Sequence, residues 1–277
     1  MSKSRIEARF AALKAEGRAA FVPYVMAGDP DAATALAILK GLPGAGADLI
    51  EVGFPFSDPM AEGPPIQRAA QRALSKGMTL QGTLDQVRAF REGDQTTPVI
   101  LMGYTNPLIT WGLEAFARDA SAAGVDGLII VDTPPEESGP LADACDAHDI
   151  SLIRLATPTS DDARLKVVVA RTSGFVYYVS VAGVTGVKEA DAEAVAPQVA
   201  RVRRASGLPV AVGFGIKTPE RAAAIARVAD AVVVGSALVD EVAEAVALNE
   251  DVTARVLSKV AALAKAVRLA RQDLATV

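Results

Sequence analysis

The stretch ADLIEVGFPFSDPMAEGPPIQ, residues 47–67, reads as one complete unit of strand, loop and helix start. Its opening is short and continuously apolar, as a strand covered on both faces should be. The middle is crowded with Pro, Gly and polar residues, the chemistry of a loop, and Pro64 and Pro65 suit the first turn of a helix. Two carboxylates interrupt the pattern, Glu51 inside the apolar run and Glu62 in the loop. Taking an ionised carboxylate out of water costs several kcal/mol, on the order of a chain's whole net stability, unless something pairs with it. Glu51 therefore has either a structural partner or a task.

The same unit recurs along nearly the whole chain. Strand-like runs occur at FVPYVMAG (21–28), ADLIEVG (47–53), TPVILMGY (97–104), VDGLIIVD (125–132), SLIRLAT (151–157), GFVYYVS (174–180), LPVAVGFG (208–215) and ADAVVVGSA (229–237). Between them lie amphipathic patterns such as EAFARDASAAG and TPERAAAIARVA, with helix-start residues ahead and Gly or Pro behind. Eight strand–helix units predict an α/β fold, a single (β/α)8 TIM barrel spanning residues 1–277, in preference to an open doubly wound sheet. Two helices are extra. The first starts with Ser4 and Glu7, the spacing of a capping box, and presents Ile6, Phe10 and Leu13 on one side. The last repeats Val252, Val256, Val260, Leu263 and Val267 on one face, suited to packing on the barrel's outside.

Composition narrows the chemistry. The 277 residues carry 28 basic and 33 acidic side chains, a net charge of -5, with no block of like charge that would form a basic face. Nucleic acid and anionic membranes are thereby poor partners. With a single cysteine, Cys145, no internal disulfide forms, and the N-terminal segment lacks the apolar core of a signal peptide. No apolar run approaches bilayer length, so the expectation is a soluble, cytoplasmic protein. The one histidine, His148, excludes a two-His zinc site and falls at a helix-to-strand junction, the barrel face away from an active site.

Side chains alternate along a strand, so Leu49, Glu51 and Gly53 share one face while Ile50 and Val52 share the other. The β-branched pair suits the helix-facing side. Glu51 then points into the barrel near the C-terminal end of its strand, where active sites of this fold lie. Its obvious structural partner among the strands would be Arg154, but Ile153, Leu155 and Thr157 make the better inward set, which turns Arg154 toward the helices. An unpaired interior carboxylate at that end is the usual place for a tuned general acid or base. Glycines follow the last strands in GVTG (183–186), GFGIK (213–217) and VGSA (234–237), where backbone N–H groups and a helix start near Ser236 can approach an anion. Phe21, Met102, Ile129, Leu155 and Phe214, near strand ends, would supply an apolar wall. A substrate with an aromatic end and a phosphate end fits both features.

On these motifs, LIEVGFPFSDPMAEGP with FVPYVMAGDP before it and MGYTNP, VDTPPEE, YYVSVAGVTG, GFGI and VVVGSA after it, the sequence resembles the α subunit of tryptophan synthase over essentially its full length. The resemblance implies a lyase of tryptophan biosynthesis that cleaves indole-3-glycerol phosphate to indole and glyceraldehyde 3-phosphate, without metal or organic cofactor. It also implies a β subunit that carries pyridoxal phosphate and receives the indole in an α2β2 complex. Position by position, Glu51 matches the family's catalytic glutamate and Tyr177 the tyrosine expected to hold it. Gly186, Gly215, Gly235 and Ser236 match the phosphate cradle, and Asp58, Pro59 and Asn106 match loop positions facing the β subunit. The family's second catalytic acid is most often Asp, and here that position is Glu62.

Two other readings keep part of this pattern. A sugar-phosphate isomerase or synthase would retain fold and phosphate site and could pair Asp132 with Glu51, although no lysine lies inside a predicted strand for Schiff-base chemistry. A noncatalytic module that activates a partner enzyme would draw its support from the departure at Glu62.

Overall fold

The computed structural model describes residues 4–179, 192–213 and 215–272. The chain enters through a helix, Arg5–Ala15 (α1), and then runs Ala20–Met26 (β1), Ala32–Gly41 (α2), Ile50–Gly53 (β2), Pro64–Ser75 (α3), Leu80–Arg91 (α4) and Val99–Gly103 (β3). It continues through Thr105–Trp111 (α5), Leu113–Ala123 (α6), Gly127–Ile130 (β4), Gly139–Ala147 (α7), Ser151–Leu152 (β5), Arg154–Ala156 (β6), Asp162–Val169 (α8) and Val176–Val179 (β7). Ala192–Ser206 (α9), Val210–Gly213 (β8), Pro219–Val228 (α10), Ala231–Val234 (β9), Ser236–Leu248 (α11) and Val252–Leu269 (α12) complete it.

The strands form one parallel sheet in the order β5-β4-β3-β2-β1-β9-β8-β7-β6. Its two ends, β5 and β6, are successive pieces of one short segment, so the sheet curls into a barrel that closes there. This accounts for nine strands where the sequence predicts eight. The run SLIRLAT divides at Ile153: β5 pairs with β4, β6 pairs with β7, and the Ile153 N–H still donates to Leu128 O at 2.9 Å. Of the other seven observed strands six lie inside a predicted run, and β1 begins one residue ahead of its run, at Ala20.

The added helices seal the barrel. Ser4 accepts the Glu7 N–H on its hydroxyl and starts α1, whose buried Ile6, Phe10 and Leu13 cover the barrel floor. Ile6 reaches Gly127 and Gly174, and Phe10 meets Phe175 with ring centroids 5.8 Å apart. At the other terminus α12 buries Val256, Val260, Leu263 and Val267 against α2, α10, α11 and β1. Burying apolar side chains of this size stabilises by roughly 1.5–3 kcal/mol each, which is why neither helix stands free. None of the described helices is long and apolar enough to cross a membrane.

Three aspartates organise the N-terminal ends of the strands. Asp48, Asp126 and Asp230 each sit just ahead of a strand, and each carboxylate accepts a backbone N–H from the start of a neighbouring one: Phe21 at 2.9 Å, Val99 at 2.8 Å and Val210 at 2.8 Å. An arginine clamps each from outside, Arg18 on Asp48, Arg91 and Arg5 on Asp126, and Arg203 on Asp230. Edge N–H groups at the strand starts are thereby satisfied. Fixing strand starts at the floor fixes the register at the opposite end, where the chemistry-bearing side chains gather.

Candidate active site

Parallel register brings Tyr24 on β1 opposite Glu51 on β2, and Glu51 opposite Ile100 on β3. Alternation then sends all three inward. Glu51 is 1% exposed and Glu62 8% exposed, and both line one cleft at the C-terminal ends of the strands. Tyr24, Tyr177, Met102, Ile66 and Val233 form much of its wall. Two glycines make room for the phenols: a methyl group on Gly53 would collide with Tyr24 Oη, and one on Gly213 with Tyr177 Oη.

Electrostatics distinguish the two carboxyls. Burial and the neighbouring charge of Glu62 push Glu51 up to about 8, while burial raises Glu62 to about 7. Oε1 of Glu51 is buried without a hydrogen-bond partner among the described residues. Glu62 is thus the more readily charged member and Glu51 the one that keeps its proton longer. Pairs of titratable groups driven apart in this way mark acid and base assignments. Tyr24 and Tyr177 are both held above the ordinary phenol range, by burial first and then by the two carboxylates, so their hydroxyls stay neutral.

The far end of the cleft is lined by Gly215, Lys217, Gly235 and Ser236. Ser236 opens α11, and Gly235 at its N-cap provides no side-chain hydrogen bond. The first N–H groups of that helix, with their share of the helix dipole, face a region that favours an anion. Among the described residues no group of three or more His, Cys, Asp or Glu is gathered as a metal centre requires.

Of the residues singled out from sequence, Glu51, Glu62, Tyr177, Met102, Gly215, Gly235 and Ser236 meet around this one cleft. Gly186 and Phe214 lie outside the described residues. Phe21 belongs elsewhere: it is buried near the start of β1, three positions from the inward Tyr24, so alternation turns it to the opposite face. Ile129 is buried beside Met102 in register but is not part of the cleft wall. Leu155 lines a separate opening with Asp132 and Thr133. Arg154 donates to Thr133 O at 3.2 Å and is no partner for Glu51. Asp132 accepts both the N–H and the hydroxyl of Thr105 at the start of α5, 2.9 and 2.8 Å away, and lines that separate opening rather than the cleft of Glu51. Asp58 is exposed and Pro59 half-buried on the loop after β2, and Asn106 is exposed in the first turn of α5. Sequence reasoning passed over Tyr24 and Lys217. The alternation that turns Glu51 inward, applied to FVPYVMAG, would have found Tyr24.

The family model described as tryptophan synthase alpha chain matches residues 10–268. The chain belongs to this family. A tryptophan synthase alpha chain from Phenylobacterium zucineum is 84% identical over 273 residues, covering 99% of each chain. One from Caulobacter vibrioides is 74% identical over 271 residues, covering 98% of each. Among solved structures, tryptophan synthase subunit alpha from Legionella pneumophila superposes with a TM-score of 0.90 at 39% identity, covering 96% of this chain and 99% of that one. A chain of Mycobacterium tuberculosis tryptophan synthase gives 0.86 at 36% identity, covering 97% and 100%. The match to the tryptophan synthase alpha chain family thus runs from within α1 to the last turn of α12 and takes in the whole barrel.

Proposed function

We propose that the chain cleaves indole-3-glycerol phosphate to indole and glyceraldehyde 3-phosphate, using no cofactor of its own, with Glu51 and Glu62 in separate roles. The observation that carries this reading is the pair of buried carboxyls on one cleft, both raised by burial and Glu51 raised further by the charge of Glu62. Releasing indole requires a proton on ring carbon C3, so that the C3–carbinol bond can break and return its electrons to the ring. Glu51, protonated and buried, supplies that proton. Its carboxylate then accepts the proton of the adjacent glycerol hydroxyl as the aldehyde carbonyl forms, which restores the acid and balances the step. Positive charge develops at N1 when C3 is protonated. The Glu62 carboxylate accepts the N1–H hydrogen bond and stabilises that charge in a site with little water. Tyr177 and Tyr24 confine the reacting end, and Met102 with Ile66 contacts the indole ring. The phosphate is held by Gly215, Gly235, Ser236 and the start of α11, with Gly186 and Lys217 contributing. Asp58, Pro59 and Asn106 face a β subunit in an α2β2 complex, to which the indole passes.

An indole assay on the isolated chain, with and without a tryptophan synthase β subunit, tests this directly. Indole release from indole-3-glycerol phosphate that rises when the β subunit is added is the expected result. No release in either case would refute the reading.

A further inference from the structure

The side chain of Glu62 projects from a loop, and loops hold catalytic groups less precisely than strands do. Here the backbone on both sides of it is tied down. The Ala61 N–H donates to Tyr104 Oη at 3.0 Å, the Glu62 N–H donates to Pro59 O at 3.1 Å, and Gln67 Nε2 donates to Glu62 O at 2.9 Å. Tyr104 is itself immobilised. It directly follows β3, is 3% exposed, and stacks on Phe56 with centroids 5.3 Å apart and planes 28° apart. Despite its proximity it is not part of the cleft wall among the described residues, whereas Glu62 is.

We propose that Tyr104 and Gln67 are positioning residues for Glu62: one anchors the Met60–Ala61 peptide, a residue ahead of it, to the end of β3, and the other anchors the peptide after it to α3. The proposal rests on the role assigned above to Glu62. The Gln67 bond fixes the peptide plane after the Glu62 Cα, the Glu62 N–H bond to Pro59 O fixes the plane before it, and the Tyr104 bond holds the Met60–Ala61 plane one residue further back, so together they restrict the direction in which the side chain leaves the loop. A carboxylate displaced by about 1 Å from a transition-state charge forfeits much of its effect, up to on the order of a hundredfold in rate. A glutamate, with one methylene more than aspartate, has an additional rotatable bond and depends more heavily on such anchoring.

The test is a pair of double-mutant cycles in indole release. Tyr104→Phe keeps the ring and its stacking on Phe56 but removes the acceptor; Gln67→Met keeps the length and removes the donor. Each is expected to lower kcat about five- to twentyfold with KM changed less than about twofold, because only transition-state placement is lost. In a Glu62→Gln background either substitution is expected to add less than about twofold, since the group being positioned is already absent. Full multiplicative losses in that background would overturn the proposal while leaving Glu62's own role standing. So would a loss confined to KM, or an unchanged kcat in both single variants. Wild-type turnover by Glu62→Gln alone would instead remove the role of Glu62, and the proposal with it.

Discussion

Glu51 carries a carboxyl that folding has withdrawn from water while leaving Oε1 without a partner. Such a group is tolerated because it is neutral at the pH where it resides, and that neutrality links it to stability. Its value is about 8 in the folded chain against 4.5 for an ordinary glutamate, so between those values the folded state binds more protons than the unfolded state. Stability contributed by the protonated form is therefore complete below about pH 4.5 and lost as pH rises through about 8. Replacing Glu51 by Gln, which keeps the volume and never ionises, is expected to leave stability near wild type at pH 5. At pH 8.5 it is expected to exceed wild type by several kcal/mol, at 1.36 kcal/mol per unit of displacement. Denaturant unfolding of both proteins at the two pH values measures this, and a difference independent of pH would show that Glu51 is paired in the fold. The position of this residue was legible in the sequence because strand alternation is strict. Phe21 failed for the same reason: its apolar character invited a place in the pocket, and its parity forbade one.

At the level of elements, the barrel's register depends on carboxylate clamps that no composition rule would single out. Asp48, Asp126 and Asp230 recur just ahead of a strand, yet ADL, VDG and ADA read simply as polar residues at the ends of apolar runs. What makes them structural is a contact with a neighbouring strand dozens of residues away, invisible to local periodicity. The clamps differ in burial, and this sets their worth. Asp126 and Arg91 are 6% and 7% exposed, and Asp126 also accepts from Arg5 and the Val99 N–H. Asp126→Ala would leave Arg91 buried and its charge uncompensated, at a cost of about 3–5 kcal/mol. Asp230→Ala frees the half-exposed Arg203 to meet water and is expected to cost about 1–2 kcal/mol, chiefly from the Val210 N–H. Urea midpoints at constant slope measure both, and equal losses would contradict this account of the clamps. The division of SLIRLAT at Ile153 was likewise hidden, because closing a barrel at one segment is a property of the whole sheet rather than of the residues in it.

Across the whole molecule, floor and mouth have opposite characters. Arginine–aspartate clamps and α1 seal the N-terminal end, while the C-terminal end opens on a cleft with a reacting pair at one side and a helix start at the other. The loop after β2 and helix α5 also carry strongly exposed apolar side chains, Met60 at 81% and Ile109 at 59%, close in sequence to Asp58, Pro59 and Asn106. The barrel, its two added helices and most of the cleft were readable from repeating strand–helix units, because each unit carries its own period and its own loop chemistry. Tyr104 and Gln67 were not readable as anchors, since their value lies in backbone groups of a distant or irregular loop. The central claim is that one cleft holds a protonated Glu51 and an ionised Glu62 together. It is tested most directly by the pH dependence of kcat/KM for indole release from indole-3-glycerol phosphate. The expected profile is a bell with apparent limbs near 7 and 8, belonging to the pair, and loss of the acidic limb in Glu62→Gln. A profile that stays flat from pH 6 to 9, or keeps its acidic limb in Glu62→Gln, would contradict it.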